Sequence, residues 1–319
     1  MFWKRKSKKK DGQEATDSAA EAVESTEEAE DTAEETTETA AGESDKATGA
    51  QKDAKETEDS EEEASDDSKT EEDVDSDVDS EDAKKSEGSK EEDEKVTDLF
   101  ADEGEEEGVT GPDPEGITRV RTAGTFEFGD EKFEIVSNTW IVQADEDGVV
   151  VIDPAHDAEA VLEAIGERDI YLVACTNGYT PHIESAIKVA EEADAPVALH
   201  PREMRAWRRH HGAERRPEIE VEGEGALDVG DLHIDVLGLP GTSPGSVGYY
   251  ISSLGVVFTG DVIRNGEPGM VGDTYIDYTT QLASIGENLL TLPPQTRLLP
   301  DRGPATTSKA EGKNFDTWI

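Results

Sequence analysis

The segment GLPGTSPGSVGYYISSLGVVFTGD, residues 238–261, decides how the rest of the chain is interpreted. Its apolar runs at 247–251 and 256–259 predict two short strands. A loop rich in Gly and Pro precedes the first strand, and a Thr-Gly-Asp turn follows the second. Because loops at strand ends usually display functional side chains, Thr242 and Asp261 become candidate site residues.

Around this segment, periodic apolar residues predict a mixed α/β (α+β) architecture. The predicted strands lie at 138–142, 148–152, 170–174, 196–200, 219–221, 232–237, 247–251, 256–259 and 297–299. The predicted helices lie at 157–168, 183–193, 281–290 and 306–319. Strands and helices alternate in the first part, whereas strands dominate after about residue 218, so we expect two sheets covered by helices, an αββα sandwich.

Composition divides the chain into two regions. Residues 1–115 carry 44 acidic and 14 basic side chains, whereas residues 116–319 carry 34 and 16. Residues 11–98 contain no aromatic residue and no Leu, Ile or Met, and such a segment cannot bury enough apolar surface to offset the entropy of ordering. The sequence therefore predicts a disordered, acidic, low-complexity tail over 1–115 and one folded domain over 116–319.

Charge and composition exclude several classes of protein. The net charge of −48 argues against nucleic-acid binding, because phosphate contacts need Lys and Arg. The single cysteine, Cys175, excludes an intrachain disulfide and a cysteine-rich zinc site; we expect it to pack in the core. Residues 1–10 are basic but lack a following apolar run, so a cytoplasmic protein is expected. This basic tip either contacts an anionic membrane surface weakly or folds back on the acidic tail.

Two further loops, at 175–182 and 299–304, also follow predicted strands. Together with Ile152-Asp-Pro154, Pro240-Gly, Pro244-Gly-Ser and Thr259-Gly-Asp261, their order and spacing resemble the metallo-β-lactamase-fold hydrolase superfamily, nearest to its glyoxalase-II-like branch. The resemblance covers about residues 120–319. It implies a hydrolase with two metal ions, usually zinc, held by a His-x-His-x-Asp-His run, a His after Pro-Gly, a bridging Asp and a late His before Gly.

The ligand positions implied by this resemblance are degenerate. The matching residues are Asn177, Tyr179, Pro181, His182, Thr242, Asp261 and Arg302. Zinc prefers imidazole, thiolate or carboxylate ligands, which leaves His182 and Asp261 as usable donors. A guanidinium cannot ligate a metal and repels one, so we expect Arg302 to pair with Asp261 in a metal-free, charge-balanced cleft. No cofactor is therefore predicted; the alternative is one zinc ion on His182 and Asp261, with His156 as a further ligand.

Two functions remain open at this point. The first is a non-catalytic pseudo-hydrolase that binds a small molecule or a protein in the cleft. The second is a hydrolase of a small thioester-like substrate, with a rebuilt mononuclear or metal-free site in which Tyr179, His182, Asp261 and His156 act as acid–base groups. Three of these residues have a structural alternative: Asp261 can serve only to bond the backbone amides of its turn, His182 can be a hydrogen-bonded loop residue or the start of the following helix, and His156 can be purely structural.

A second cluster is basic. Residues 202–216 contain six arginines, and on a helix Arg202, Arg205 and Arg209 share one face, with Trp207 off it. This face is either simply solvated or binds an anionic partner. The chain's own acidic tail is one such partner, and its docking should weaken with salt.

Overall fold

The computed structural model describes residues 98–272 and 274–319. The predictions for residues 1–97, including the basic tip at 1–10, lie outside the described residues. None of the helices in the described part of the chain has both the length and the apolar character that crossing a bilayer requires.

The first sheet contains seven strands that lie side by side in chain order. They are β1 (Gly108–Thr110), β2 (Ile117–Phe128), β3 (Glu131–Gln143), β4 (Gly148–Ile152), β5 (Asp169–Ala174), β6 (Val197–Leu199) and β7 (Ile219–Glu220). Strands β1 to β4 pair antiparallel, whereas β4 to β7 pair parallel. The parallel half carries the predicted strand–helix units.

The second sheet contains six strands in the order β15-β14-β11-β10-β9-β8. They are β8 (Gly225–Val229), β9 (Leu232–Gly238), β10 (Val247–Ile251), β11 (Val256–Gly260), β14 (Arg297–Pro300) and β15 (Thr306–Thr307). A separate short hairpin is formed by β12 (Ile263–Arg264) and β13 (Glu267–Pro268). All neighbours in the second sheet are antiparallel except β11 and β14.

Six α-helices complete the part of the fold that the structure describes. They are α1 (Ala158–Ile165), α2 (Thr180–Ile183), α3 (Ala186–Ala193), α4 (Met204–His211), α5 (Tyr278–Ser284) and α6 (Ser308–Asn314). The helix predicted at 183–193 is split, because the amide of Ser185 bonds the Pro154 carbonyl at 3.1 Å instead of continuing the helical pattern. The helix predicted at 281–290 begins earlier, where Asp277 caps α5, and it continues as a wider π-helical turn over Ile285–Leu289.

Three apolar clusters show that the predicted αββα sandwich is correct. Side chains of both sheets, such as Trp140 and Phe258, form the central cluster. A second cluster packs α1, α3 and α4 on the first sheet, and a third packs α5 and the C-terminal residues on the second sheet. Cys175 lies fully buried in the second cluster, as expected, and burial raises the pKa of its thiol well above the ordinary value.

The described fold begins before the predicted domain boundary at Gly116. Phe100 is fully buried, and its ring meets the ring of Trp140 edge-on at 5.1 Å. The guanidinium carbons of Arg119 and Arg297 each lie 5.3 Å from the centre of the Phe100 ring. Residues 98–115, which composition alone assigns to the acidic tail, are therefore held by one aromatic anchor and by pairing of their carboxylates with domain arginines.

Candidate functional site

Four loops meet at one edge of the sandwich, as the order of the motifs predicted. They follow β5, β9, β11 and β14 and carry Asn177, Thr242, Asp261 and Arg302, respectively. The turn before Asp261 requires glycine: Gly260 has a φ of +56°, and a Cβ there would lie 2.4 Å from the Thr176 hydroxyl oxygen. The Thr-Gly-Asp landmark thus reflects close backbone packing at the floor of the site.

Asp261 is the acceptor at the centre of this site. The amide Nδ2 of Asn177 donates to Asp261 Oδ1 at 2.9 Å, and the hydroxyl of Thr242 donates to the same oxygen at 2.7 Å. The Nε2 atom of His182 lies 3.9 Å from Asp261 Oδ2. Each of these four residues is at most 3% exposed. Two residues at positions that the family resemblance assigns to metal ligands therefore serve as hydrogen-bond donors to Asp261.

His182 is held between two carboxylates. Its Nδ1 atom lies 2.9 Å from Asp153 Oδ2, and the backbone amide of Thr176 fixes Asp153 through Oδ1 at 2.7 Å. Burial disfavours the charged ring, but Asp153 and then Asp261 outweigh it and raise the pKa of His182 to about 9. His182 is therefore an imidazolium at neutral pH, and both of its ring nitrogens are donors.

The predicted pairing of Arg302 with Asp261 is wrong. Arg302 Nε donates to Asp301 Oδ2 at 3.1 Å, and its Nη2 donates to the Met270 carbonyl at 3.2 Å. Burial opposes ionisation of Asp301, but Arg302 and Arg264 hold the pKa of its carboxyl below the usual range. Arg302 pairs with Asp301 instead because this carboxylate belongs to the adjacent residue, so the arginine side chain does not have to cross the site. Burial raises the pKa of Asp261, while the charge of His182 opposes this shift.

Tyr179 and Pro181 make structural contacts around their loop. The Tyr179 hydroxyl donates to the Thr242 carbonyl at 2.9 Å, and its ring lies against Phe126 and Phe128. Burial raises the pKa of this hydroxyl, so it stays protonated at neutral pH. Pro181 lies in the first turn of α2, where a proline ring fits the helix.

His156 belongs to a different environment. Its Nδ1 atom lies 2.7 Å from Glu184 Oε2, and its Nε2 atom lies 3.0 Å from the Ser137 hydroxyl. The ring lines a cavity of about 450 Å³ together with Thr180 and His210. The expected alternative role as a third ligand has no support in this arrangement, because the described residues contain no group of three His, Cys, Asp or Glu side chains placed to hold a metal ion.

The side chains at the ligand positions do not fit a dinuclear zinc centre. Asn177 directs its NH₂ group, not its oxygen, toward Asp261, and the Thr242 hydroxyl also donates to Asp261. Catalytic zinc needs three protein ligands of the imidazole, thiolate or carboxylate type, and these positions do not supply them.

Glu203 is a residue of the site that the sequence analysis missed. Its carboxylate accepts hydrogen bonds from the backbone amides of Gly178 at 3.1 Å and Gly245 at 2.7 Å, and from the Ser243 hydroxyl at 2.8 Å. It is 3% exposed and thus joins the loops of Asn177 and Thr242. The sequence did contain a signal for Glu203. It is an acidic residue inside an arginine-rich run, and a helix face that is simply solvated does not require one.

The arginine-rich run forms a helix on the rim of these loops. Arg205 and Arg209 lie on α4, whereas Arg202 lies in the 3₁₀ turn Pro201–Glu203 that precedes it. All three are exposed and Trp207 is buried, but Arg202 does not lie on the same helix as Arg205 and Arg209, which differs from the prediction. Arg202 Nη1 donates to the carbonyl of Pro244 at 3.4 Å, in the loop that carries Thr242.

Comparisons with known proteins agree with this fold. A sequence profile of the "Metallo-beta-lactamase superfamily" matches residues 133–300. The "Probable metallo-hydrolase YqgX" of Bacillus subtilis (strain 168) is 33% identical over 185 residues, which are 54% of this chain and 87% of the relative. The "Hydroxyacylglutathione hydrolase GloC" of Haemophilus influenzae is 26% identical over 192 residues, which are 56% of this chain and 90% of the relative.

Solved structures give the same result. The crystal structure of BLEG-1, a B3 metallo-beta-lactamase, superposes with a TM-score of 0.51 at 27% sequence identity, and the match covers 60% of this chain and 97% of the other. The profile match spans more than half of the chain and includes β5, β9, β11 and β14, from whose ends the site loops extend. Sequence, fold and the position of the site together place this chain in the metallo-beta-lactamase superfamily.

Proposed function

We propose that this protein is a metal-independent member of its superfamily, a pseudo-hydrolase that binds a small-molecule or protein ligand instead of hydrolysing one. The supporting observation is that Asn177 and Thr242 both donate to Asp261 Oδ1. The carboxylate that bridges two metal ions in the family is thereby engaged by internal donors. Its second oxygen faces the Nε2 atom of His182 at 3.9 Å.

Charge balance supports the same proposal. The imidazolium of His182 lies between the carboxylates of Asp153 and Asp261 and balances their negative charge. In the family, metal ions balance the negative charge of the site. Without a metal there is neither an activated hydroxide nor a Lewis acid, so the family's hydrolytic mechanism has no nucleophile. Ligand binding would then involve the more accessible surfaces around the buried network.

The second candidate is a hydrolase that acts without the family's dinuclear centre. Relatives named as a metallo-hydrolase and as a hydroxyacylglutathione hydrolase favour it, because the landmarks are shared with them. In this case the imidazolium of His182 would act as a general acid toward a small thioester-like substrate. The loops would have to open first, because His182 is only 1% exposed.

One experiment on the full chain separates these functions. The purified protein is incubated with zinc, manganese or iron, desalted and analysed for metal by mass spectrometry, and its thioester hydrolysis is measured in parallel. We expect less than about a tenth of an equivalent of metal, because competent ligands are too few. The variant Asn177→His/Tyr179→His/Thr242→His, which restores three imidazoles, is the positive control for metal uptake.

The outcomes are distinct. About one equivalent of metal that is lost in His182→Ala or Asp261→Ala would contradict the proposal and support a mononuclear hydrolase. Thioester turnover without metal that disappears in His182→Gln would instead support the metal-free hydrolase. Neither metal nor turnover is the result that the pseudo-hydrolase predicts.

A further inference from the structure

We propose that an exposed arginine surface beside the site binds the acidic segment 11–97 of the same chain. This arginine surface consists of Arg202, Arg205, Arg208, Arg209, Arg215 and Arg216. The inference concerns a different surface from the buried network around Asp261, and it does not depend on whether that network binds metal.

The first argument is the concentration of charge. Residues 116–319 contain 16 Lys and Arg side chains, and six of them lie within residues 202–216. All six are exposed. Arg205, Arg208 and Arg209 lie on α4, whose Trp207 is buried against the domain. The rest of the domain is net acidic, so this surface is a local exception.

The second argument is that most of these charges lack an ion-pair partner among the described residues. Arg215 pairs with Glu191 at 3.0 Å, and Arg202 contacts a backbone carbonyl. Within residues 98–272 and 274–319, no carboxylate lies within ion-pair distance of Arg205, Arg208, Arg209 or Arg216. By contrast, three arginines elsewhere in the domain, Arg119, Arg121 and Arg297, are paired with carboxylates.

The third argument is the complementarity of the proposed occupant. Residues 11–97 carry 36 Asp and Glu against 8 Lys, a net charge of −28. A flexible polypeptide of about this length spans on the order of 50 Å, whereas a domain of this size has a radius of gyration of about 17 Å. Every face of the domain is therefore within reach. Covalent attachment also gives the segment a high effective concentration at the surface.

A segment bound there would lie against the loops of the site. Arg202 contacts the loop of Thr242 through the Pro244 carbonyl, and Glu203 bonds the amides of Gly178 and Gly245. The arginine surface is thus joined directly to the loop of Thr242 through Arg202, and Glu203, the residue next to Arg202, bonds both loops. The bound acidic segment would cover the rim through which a ligand approaches, so the docking would control access.

Cross-linking of the full chain tests this proposal. In the variant Arg205→Lys/Arg208→Lys/Arg209→Lys the positive charge is kept, and three primary amines are introduced on the arginine surface. A carbodiimide then joins these amines to carboxylates in direct contact. Lys309 and Lys313, which are exposed on α6 of the same domain, serve as internal controls for random collisions. Peptide mass spectrometry identifies the linked residues.

We expect links from the introduced amines to residues 11–97 to exceed those from Lys309 and Lys313 by at least about fivefold at low salt. They should fall severalfold when the ionic strength rises from about 0.02 M to about 0.5 M, because the Debye length shortens. Equal linking at all amines, or links that do not respond to salt, would overturn the proposal. Links that occur in a species of doubled mass and vanish on dilution would also overturn it, because they would assign the occupant to another chain.

Discussion

The domain buries charge in two regions, and it compensates the charge differently in each. Around Phe100, the guanidinium groups of Arg119 and Arg297 flank the ring, and each pairs with a carboxylate of residues 98–115. In the site, Asp153 and Asp261 flank one imidazolium. Asp301 Oδ1 lies 3.7 Å from Arg264 Nε, and neither atom makes a hydrogen bond within the described residues.

The contrast separates a stabilising cluster from a site. Around Phe100 both guanidinium groups are paired with carboxylates, although Arg119 Nε makes no hydrogen bond within the described residues. In the site, one buried imidazolium lies between two buried carboxylates, and the pKa values of His182 and Asp261 are both raised, an arrangement that is more common at functional sites than in structural cores. Four experiments, ordered from the largest to the smallest expected effect, test this separation.

The largest effect is expected for Phe100→Ala. The ring is fully buried between two guanidinium groups and Trp140, so its removal should lower the free energy of unfolding by about 3–5 kcal/mol. Urea denaturation of the full chain measures the change. Leu99→Ala is the matched control, because Leu99 is 47% exposed and should cost less than about 0.5 kcal/mol. Similar midpoints for both variants would mean that the N-terminal cluster does not stabilise the domain.

The next effect is a loss of stability at alkaline pH. The pKa of His182 is raised to about 9 in the fold, from about 6.5 in an unfolded chain. Its contribution to the free energy of unfolding is therefore complete below pH 6.5 and is lost as the pH rises through 9. The full loss corresponds to about 3 kcal/mol. Denaturation curves at pH 6.5 and pH 9.5 measure it, and His182→Gln should remove most of this pH dependence. An imidazole signal that titrates near pH 6.5 would refute the charged state.

A smaller effect is expected for Thr242→Val. The substitution removes the hydroxyl that donates to Asp261 Oδ1 at 2.7 Å and leaves a buried carboxylate with one fewer donor. We expect a loss of about 1–3 kcal/mol in the free energy of unfolding. Thr242→Ser keeps the hydroxyl and should retain most of the stability. Equal losses in both variants would show that the methyl group, not the hydrogen bond, matters.

The smallest effect is expected on the arginine surface. Because Arg205 and Arg208 are exposed and have no ion-pair partner among the described residues, Arg205→Ser/Arg208→Ser should change stability by less than about 0.5 kcal/mol. Thermal unfolding of the full chain gives the value. A large destabilisation would mean that these side chains stabilise the fold, as the arginines around Phe100 do, and do not form a free binding surface.

The motifs predicted the fold and the convergence of Asn177, Thr242 and Asp261, because strand ends and Gly-containing turns fix where loops meet. The partner of Arg302 was missed because an adjacent carboxylate, Asp301, competes with a distant one, and only side-chain geometry resolves that competition. The anchoring of Phe100 depends on Arg297, which is almost 200 residues away in the chain. Composition averages over 1–115 therefore hid an anchor that begins at residue 98.

Cys175 provides a practical route to follow these regions in solution. It is the sole cysteine of the chain, it is fully buried, and its thiol has a raised pKa, so thiol reagents react with it slowly in the folded state. A cysteine introduced at an exposed position would accept a fluorophore or a spin label at that position alone. Pairs of such labels, one near residue 50 and one on α4, would report distances within the intact chain without first removing a native thiol.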